Sequence, residues 1–167
     1  IIYVVNDCGA KTIICSEDKI QALEDIRKHT QIRNIISFGR KSDDIQSFSS
    51  IIAKNFSIDK QPNVSPKDLS TIAYTSGTTG HPKGAMQSHE AVILNGSMTS
   101  QLHMRGPDDI IVSALPCPHV YANVLMTGMM MFGTKLILHK NFEVDTIFES
   151  IKVNKATIFD GVPTMYM

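Results

Sequence analysis

The chain has 167 residues, of which 43% are hydrophobic and 19% are charged, with 10 glycines and 7 prolines. This size and composition predict a globular protein and exclude collagen-like, low-complexity and disordered chains. Lys and Arg together number 16, as do Asp and Glu, so no net field attracts nucleic acid and any anion site must be local. The 3 cysteines form no Cys-x-x-Cys pair, which argues against a disulfide scaffold or zinc ribbon and favours the cytoplasm.

The first part of the chain, residues 1–39, predicts a strand, a helix and a second strand. Residues 11–15 and 34–38 are short apolar runs typical of strands. Ser16 is placed to cap the helix between them. The apolar stripe of that helix consists of Ile20, Leu23 and Ile26. Residues 40–67 are polar and predict a connecting region, with one short helix at the apolar patch of Phe48, Ile51, Ile52 and Phe56.

Residues 68–167 continue the alternation of strands and helices. The predicted strands are residues 68–75, 85–87, 110–114, 135–139 and 156–159. The predicted helices are residues 90–102, capped by Ser88, residues 120–132, and a segment with Val144, Ile147, Phe148 and Ile151 on one face. This alternation predicts an α/β fold with a mostly parallel sheet.

Residues 110–134 carry no formally charged side chain, which raises the question of a membrane span. Pro116 and Pro118 interrupt the segment early, and Gly128 and Gly133 interrupt it late. The remaining apolar piece is shorter than the roughly 20 residues that cross a bilayer, so we expect a buried core segment and no transmembrane segment. Core packing is also the preferred interpretation of its methionines over a malleable lipid-binding wall.

A loop rich in glycines and hydroxyls follows the predicted strand 68–75. Residues 74–84 read YTSGTTGHPKG. Glycines let backbone N–H groups approach an anion, hydroxyls donate hydrogen bonds, and Lys83 adds a positive charge, which together favour a polyphosphate. An ordinary polar turn seldom concentrates so many donors. A Walker A loop is disfavoured because His81 and Pro82 separate Gly80 from the lysine.

This loop resembles the phosphate-binding signature of the adenylate-forming enzymes, which include acyl- and aryl-CoA synthetases, peptide synthetase adenylation domains and luciferases. Two further stretches resemble the same superfamily. Residues 115–121, LPCPHVY, are similar to a segment that borders the acyl pocket, although Pro118 replaces a more usual aromatic residue. Residues 156–166, ATIFDGVPTMY, look most like fatty acyl-CoA synthetases.

The resemblance implies a three-layer α/β sandwich, part of the large N-terminal domain of an adenylate-forming enzyme. It implies that a small carboxylic acid attacks the α-phosphorus of ATP, that pyrophosphate leaves, and that coenzyme A captures the acyl group. Mg²⁺ would accompany ATP, near Thr79 and an acidic residue outside this chain. The implied phosphate-binding residues are Thr75, Ser76, Gly77, Thr78, Thr79, Gly80 and Lys83. The implied substrate-binding residues are His119, Gly161, Val162 and Pro163.

Several alternatives remain open at this point. His119 would equally serve as a hydrogen-bonded structural residue. Cys117, His119 and His103 match no established zinc-ligand spacing, so we predict no metal site formed by this chain alone. In the superfamily the adenine and ribose sites, a hinge and a domain with the catalytic Lys follow this region, so we expect an inactive fragment with that Lys beyond Met167. The competing hypotheses are a noncatalytic nucleotide-binding or interaction module, and an adenylation domain with a different acceptor.

Overall fold

The computed structural model describes residues 1–39, 45–54, 60–75 and 80–167. These residues form two compact units. The first contains Ile1–Val64 and Tyr74–Ala85, and the second contains Ser65–Ala73 and Met86–Met167. Strands β4 (Leu69–Thr75) and β5 (Lys83–Ser88) pair with each other in a two-stranded sheet, and each contributes residues to both units.

The first unit contains a three-stranded parallel sheet in the order β1-β2-β3, with Ile35 opposite both Ile13 and Ile45. Its strands are β1 (Thr12–Cys15), β2 (Asn34–Ser37) and β3 (Ile45–Ser47). Its helices are α1 (Ile2–Asp7), α2 (Ile20–Arg27) and α3 (Phe48–Ile52), with a 3₁₀ turn at Glu17–Lys19. The core consists of Val5, Ile20, Leu23, Ile32, Ile35 and Ile45.

The predicted stripe of α2 is confirmed, because Ile20 and Leu23 are buried and Ile26 packs against the same core. Ser16 precedes the 3₁₀ turn with an extended backbone, as an N-cap residue does. However, its hydroxyl donates to the Asp18 carboxylate and caps no backbone N–H. The Ser16 side chain therefore donates to a nearby carboxylate instead of accepting from a backbone N–H at the start of the helix.

The second unit contains a three-stranded parallel sheet in the order β7-β6-β8. Its strands are β6 (Ile110–Ser113), β7 (Lys135–Leu138) and β8 (Ile158–Asp160). Its helices are α4 (His89–Leu102), α5 (Val120–Phe132) and α6 (Val144–Asn154), and a 3₁₀ turn covers Pro163–Met165. Parallel sheets flanked by helices in both units confirm the predicted α/β fold class.

A cap at the start of α4 and a cap at the end of α5 explain why these two helix boundaries lie close to where the sequence predicts them. The Ser88 hydroxyl accepts a hydrogen bond of 3.2 Å from the Ala91 N–H, which caps α4. Gly133 ends α5 with a φ of 71°, a left-handed conformation that glycine adopts without strain. On α5, Ala122, Leu125 and Gly128 are buried, as expected of a core segment. Among the described residues, none of the helices is long and apolar enough to cross a lipid bilayer.

Candidate functional site

In the first unit, the predicted phosphate loop leaves β4 at Thr75 and enters β5 at Lys83. Thr75, Gly80 and Lys83 are all exposed. Gly80 has a φ of 92°, which only glycine adopts readily, and a β-carbon at this position would meet no atom of the described residues within 4 Å. The other predicted phosphate-binding residues, which lie outside the described residues, are Ser76, Gly77, Thr78 and Thr79.

Helix α1 contacts both sides of this loop, a feature that the sequence did not reveal. On the side of β4, the Tyr74 hydroxyl donates to the Asp7 carboxylate at 2.5 Å. On the side of β5, the His81 ring stacks on Tyr3 with 5.0 Å between ring centroids. The hydrogen bond to Asp7, together with desolvation, raises the pKa of Tyr74 well above its usual value. Tyr74 therefore remains a neutral hydrogen-bond donor at physiological pH.

Lys83 is the positively charged residue that the sequence predicts for this loop. It lies at the first position of β5, and no salt bridge engages it among the residues that the structure describes. An exposed ammonium group on a flexible stem is free to bind an anion, and neighbouring hydroxyls and backbone N–H groups would add hydrogen bonds. The described part of the loop, with Thr75, Gly80 and Lys83, can therefore contact a phosphate chain.

In the second unit, the predicted substrate residues follow the carboxyl ends of β6 and β8. Ligands of open parallel sheets bind at this edge. His119 is the N-cap residue of α5, and its Nδ1 accepts a hydrogen bond of 3.2 Å from the Tyr121 N–H. In the neutral imidazole this leaves the proton on Nε2, so the exposed ring retains a donor for another group.

Gly161, Val162 and Pro163 follow β8 directly. A β-carbon on Gly161 would lie 3.1 Å from both the Met165 sulfur and the Phe159 ring, so a larger residue would displace these neighbours. Val162 is exposed, and Pro163 begins the short 3₁₀ turn, where its missing N–H costs no hydrogen bond. This segment therefore presents its backbone and the Val162 side chain at the edge of the sheet.

A buried polar network connects the two substrate segments and was missed by the sequence analysis. Arg105 donates to the Asp160 carboxylate at 2.7 Å, and the Tyr121 hydroxyl donates to the other carboxylate oxygen at 3.2 Å. The Ser113 hydroxyl donates to the Asp160 carbonyl at 2.8 Å. The structure thus brings residues 119–121 and 160–163 together through the pair of Tyr121 and Asp160. The sequence signal that pointed to this network was Asp160, a single charged residue at the end of the apolar strand β8.

An apolar cavity of about 370 Å³ also lies in the second unit, beside α6 and β8. Phe142, Phe148 and Phe159 are among its lining residues, whereas the four predicted substrate residues are not. Because successive strand residues face opposite sides of a sheet, Phe159 and Asp160 lie on different faces of β8. The cavity is therefore separate from the polar network.

Metal-binding groups are not assembled in the described parts of the chain, where no cluster of three or more His, Cys, Asp or Glu side chains can hold an ion. Cys117 is exposed, whereas Cys8 and Cys15 are half-buried. Thr79, near which the resemblance places Mg²⁺, lies outside the described residues.

The family profile for AMP-binding enzymes matches residues 1–167. The chain belongs to this family. Its relatives include 4-coumarate–CoA ligase 1 of Narcissus pseudonarcissus, which is 30% identical over 166 residues, 93% of this chain and 29% of that protein. Long-chain-fatty-acid–CoA ligase 5 of Rattus norvegicus is 26% identical over an alignment of 187 positions, which covers 99% of this chain and 27% of that protein. This AMP-binding chain thus spans less than a third of the length of either relative.

Solved structures agree with the family assignment. ATP-bound MatB from Rhodopseudomonas palustris is 29% identical and has a TM-score of 0.78, with 99% of this chain and 32% of that chain covered. A long-chain-fatty-acid-CoA ligase from Archaeoglobus fulgidus is 23% identical and has a TM-score of 0.85, with 98% and 32% covered, which shows the shared fold. The resemblance to adenylate-forming enzymes is therefore confirmed for this AMP-binding chain, as is the fold class.

Proposed function

We propose that the protein containing this AMP-binding chain is an ATP-dependent acid–CoA ligase that activates a fatty acid. The observation that carries the proposal is the position of Lys83, an exposed cation that immediately follows the glycine-rich loop between β4 and β5. A group that must neutralise departing phosphate needs this combination of positive charge and access. The family match over the whole chain supports the same chemistry.

In the first proposed step, a carboxylate oxygen of the acid attacks the α-phosphorus of ATP. The new oxygen–phosphorus bond gives acyl-AMP, and the bond to the β-phosphate breaks to release pyrophosphate. Such displacements depend on positioning and charge stabilisation more than on covalent help from protein. We assign the holding of the β- and γ-phosphates to the loop residues Thr75, Ser76, Gly77, Thr78, Thr79 and Gly80, and neutralisation of the leaving charge to Lys83.

The described residues contain no cluster of acidic or imidazole groups able to hold Mg²⁺. Thr79, near which the resemblance places Mg²⁺, lies outside the described residues, so we derive no step through this ion. For ATP, in contrast, the described residues offer suitable groups. Lys83, the Thr75 hydroxyl and the space beside Gly80 fit a phosphate chain.

In the second proposed step, the coenzyme A thiol attacks the acyl carbon, the thioester forms and AMP leaves. The support for this acceptor is that the curated relatives are named CoA ligases. We assign the border of the acid site to His119, Gly161, Val162 and Pro163. Within the range of acids named for the relatives, residues 156–166 favour a medium- or long-chain fatty acid over coumarate.

The test is the exchange of labelled pyrophosphate into ATP by the full-length protein in the presence of fatty acids. Replacing Lys83 by Ala should lower acid-dependent exchange by about 100-fold or more, the usual cost of removing one stabilising group. Lys140→Ala, which removes another exposed positive charge outside the phosphate loop, is the matched control and should exchange at the normal rate. Unchanged exchange in Lys83→Ala would contradict the role of Lys83.

A panel of acids and acceptors tests the finer part of the proposal. Fatty acids should support faster exchange than 4-coumarate, and hydroxylamine or coenzyme A should capture the product. Tight ATP binding without exchange for any acid would instead favour a noncatalytic nucleotide-binding module. Exchange without thioester formation would favour an adenylation domain with another acceptor.

A further inference from the structure

Asp160 is the residue where the two substrate segments of the second unit meet. One carboxylate oxygen accepts from Arg105 at 2.7 Å, and the other accepts from the Tyr121 hydroxyl at 3.2 Å. Its backbone carbonyl accepts from the Ser113 hydroxyl at 2.8 Å, and the same hydroxyl accepts from the Leu115 N–H at 3.2 Å. Asp160 therefore contacts β6 and α5, which flank the connection of residues 114–119, and directly precedes the segment of Gly161, Val162 and Pro163.

The burial of this ion pair argues for a role other than general stability. The Arg105 side chain is 2% exposed and that of Asp160 is 12% exposed. Desolvation of two charges consumes most of their attraction, so apolar side chains of similar shape would often stabilise such a place equally well. Moreover, Arg105 Nε has no hydrogen-bond partner among the described residues. What an ion pair adds is a fixed direction for each carboxylate oxygen.

Tyr121 connects the Asp160 carboxylate to the beginning of α5. Burial, and then the nearby Asp160 carboxylate, raise the pKa of the Tyr121 hydroxyl, which keeps it a donor at physiological pH. The backbone N–H of the same residue donates to His119 Nδ1 at 3.2 Å. A shift of Tyr121 would therefore move the imidazole of His119 as well.

On the basis of the proposed function, we propose that Asp160 is a positioning residue for the acid site. Held by Arg105, it fixes Tyr121, and through Tyr121 the ring of His119, against the segment of Gly161, Val162 and Pro163. Each carboxylate oxygen already accepts a hydrogen bond from a protein side chain, which fixes the orientation of Asp160. Asp160 therefore affects binding of the carboxylic acid. It does not act on ATP binding, because the phosphate loop belongs to the first unit.

The first experiment compares steady-state kinetics of the full-length protein with those of Tyr121→Phe, which loses only one hydroxyl, and Asp160→Asn. We expect the KM for the carboxylic acid to rise about tenfold in Tyr121→Phe, the cost of one hydrogen bond to a charged group. It should rise at least as much in Asp160→Asn, which also leaves the buried Arg105 charge unpaired. The KM for ATP should change less than about twofold. Equal rises of both KM values, or an unchanged KM for the acid in Tyr121→Phe, would overturn the proposal.

Tyr166→Phe is the matched control. It also removes a tyrosine hydroxyl that donates to β8, here to the Phe159 carbonyl at 2.8 Å, and it leaves the hydrogen bonds of the Asp160 carboxylate in place. Its KM for the acid should remain within about twofold of that of the unsubstituted protein. A tenfold rise in this variant would mean that any hydroxyl near β8 has the same effect, and would overturn the specific role of Asp160.

Hydrogen–deuterium exchange provides a readout that does not depend on ligase activity. In Tyr121→Phe, backbone amides of residues 115–121 and 161–165 should exchange faster, while those of β1 and β2 should not change. Unchanged exchange in both segments would overturn the positioning role. A full-length protein that activates no acid would contradict the proposed ligase, and the amide exchange would then still decide whether Asp160 holds the two segments.

Discussion

Gly96 of α4 lies directly against Thr127 of α5, and a β-carbon added to Gly96 would approach the Thr127 methyl carbon to 2.9 Å. Gly128, the next residue of α5, is also buried, and a β-carbon there would meet the Ser100 hydroxyl oxygen at 2.9 Å. These glycines allow the two helices to approach closely. The glycine that interrupts the apolar sequence of α5 is therefore a packing residue within a continuous helix.

Gly96→Ala should lower the free energy of unfolding by about 1 kcal/mol. Alanine is the better helix former by about 1 kcal/mol, but overpacking against a stiff β-branched side chain costs about 1–3 kcal/mol. Chemical denaturation of the substituted and unsubstituted protein measures the difference. Gly96→Ala combined with Thr127→Ser, which removes the obstructing methyl and keeps the hydroxyl, should recover most of the loss. Failure of this second change to restore stability would contradict the packing explanation.

The core of the first unit makes a second prediction. Ile35 is 1% exposed at the centre of the sheet, whereas Ile14 on β1 is 53% exposed. Ile35→Ala should lower the free energy of unfolding by about 2–5 kcal/mol, because it removes buried apolar contacts and leaves a cavity. Ile14→Ala is the matched control and should cost less than about 1 kcal/mol. Similar losses in thermal or urea unfolding would contradict the assigned core.

Asp109 should make stability depend on pH. Hydrogen bonds from the Thr157 hydroxyl at 2.7 Å and the Gly106 N–H at 2.9 Å hold the pKa of this carboxyl below its usual value. A carboxyl with a lowered pKa in the folded state stabilises above its unfolded pKa, about 3.9, and this contribution disappears as pH falls through the folded pKa. The stability difference between Asp109→Asn and the unsubstituted protein should therefore be larger at about pH 6 than at about pH 3.

Thr157→Val is the control for this pH effect, because it removes the first donor to Asp109. In that background, Asp109→Asn should produce a smaller change in stability between the two pH values. Urea unfolding at each pH measures all four proteins. An effect of Asp109→Asn that is the same at both pH values would exclude the carboxylate as its source.

His119 makes a prediction about substrate choice. His119→Ala should change the relative rates of pyrophosphate exchange with fatty acids of different length, since the exposed ring stands at the proposed acid site. The ring also caps α5, so His119→Asn, which keeps a capping acceptor, separates the two roles. Both variants should alter the substrate profile, while only Ala should lose about 1 kcal/mol of stability. An identical profile would leave His119 a structural residue.

Local signals predicted much of this fold. Ser88 and Gly133 mark the start of α4 and the end of α5 because capping depends on only a few neighbouring residues. Helix α1 was missed because its Ile and Val residues favour strands, and its helix places Val5 in the core. Strand β3 has only three residues, too few to show a period of two, and pairs with β2 through backbone hydrogen bonds.

In the candidate site, too, the features formed by neighbouring residues were predictable and those formed by distant residues were not. The loop that ends at Lys83 is continuous in sequence, so its composition alone indicates a phosphate site. The pair of Arg105 and Asp160 is separated by 55 positions and forms only when β6 and β8 pair. No local pattern predicts which buried arginine meets which aspartate, because tertiary folding selects the partners.

The exposure of Cys117 has a practical consequence. Cys8 and Cys15 are half-buried, and burial, followed by the nearby Asp18, raises the pKa of Cys15 and lowers its thiolate fraction. A maleimide dye should therefore attach to Cys117 first, two positions before His119 on the same connection. The chain provides its own attachment point for an optical reporter beside the proposed acid site, without any engineered thiol.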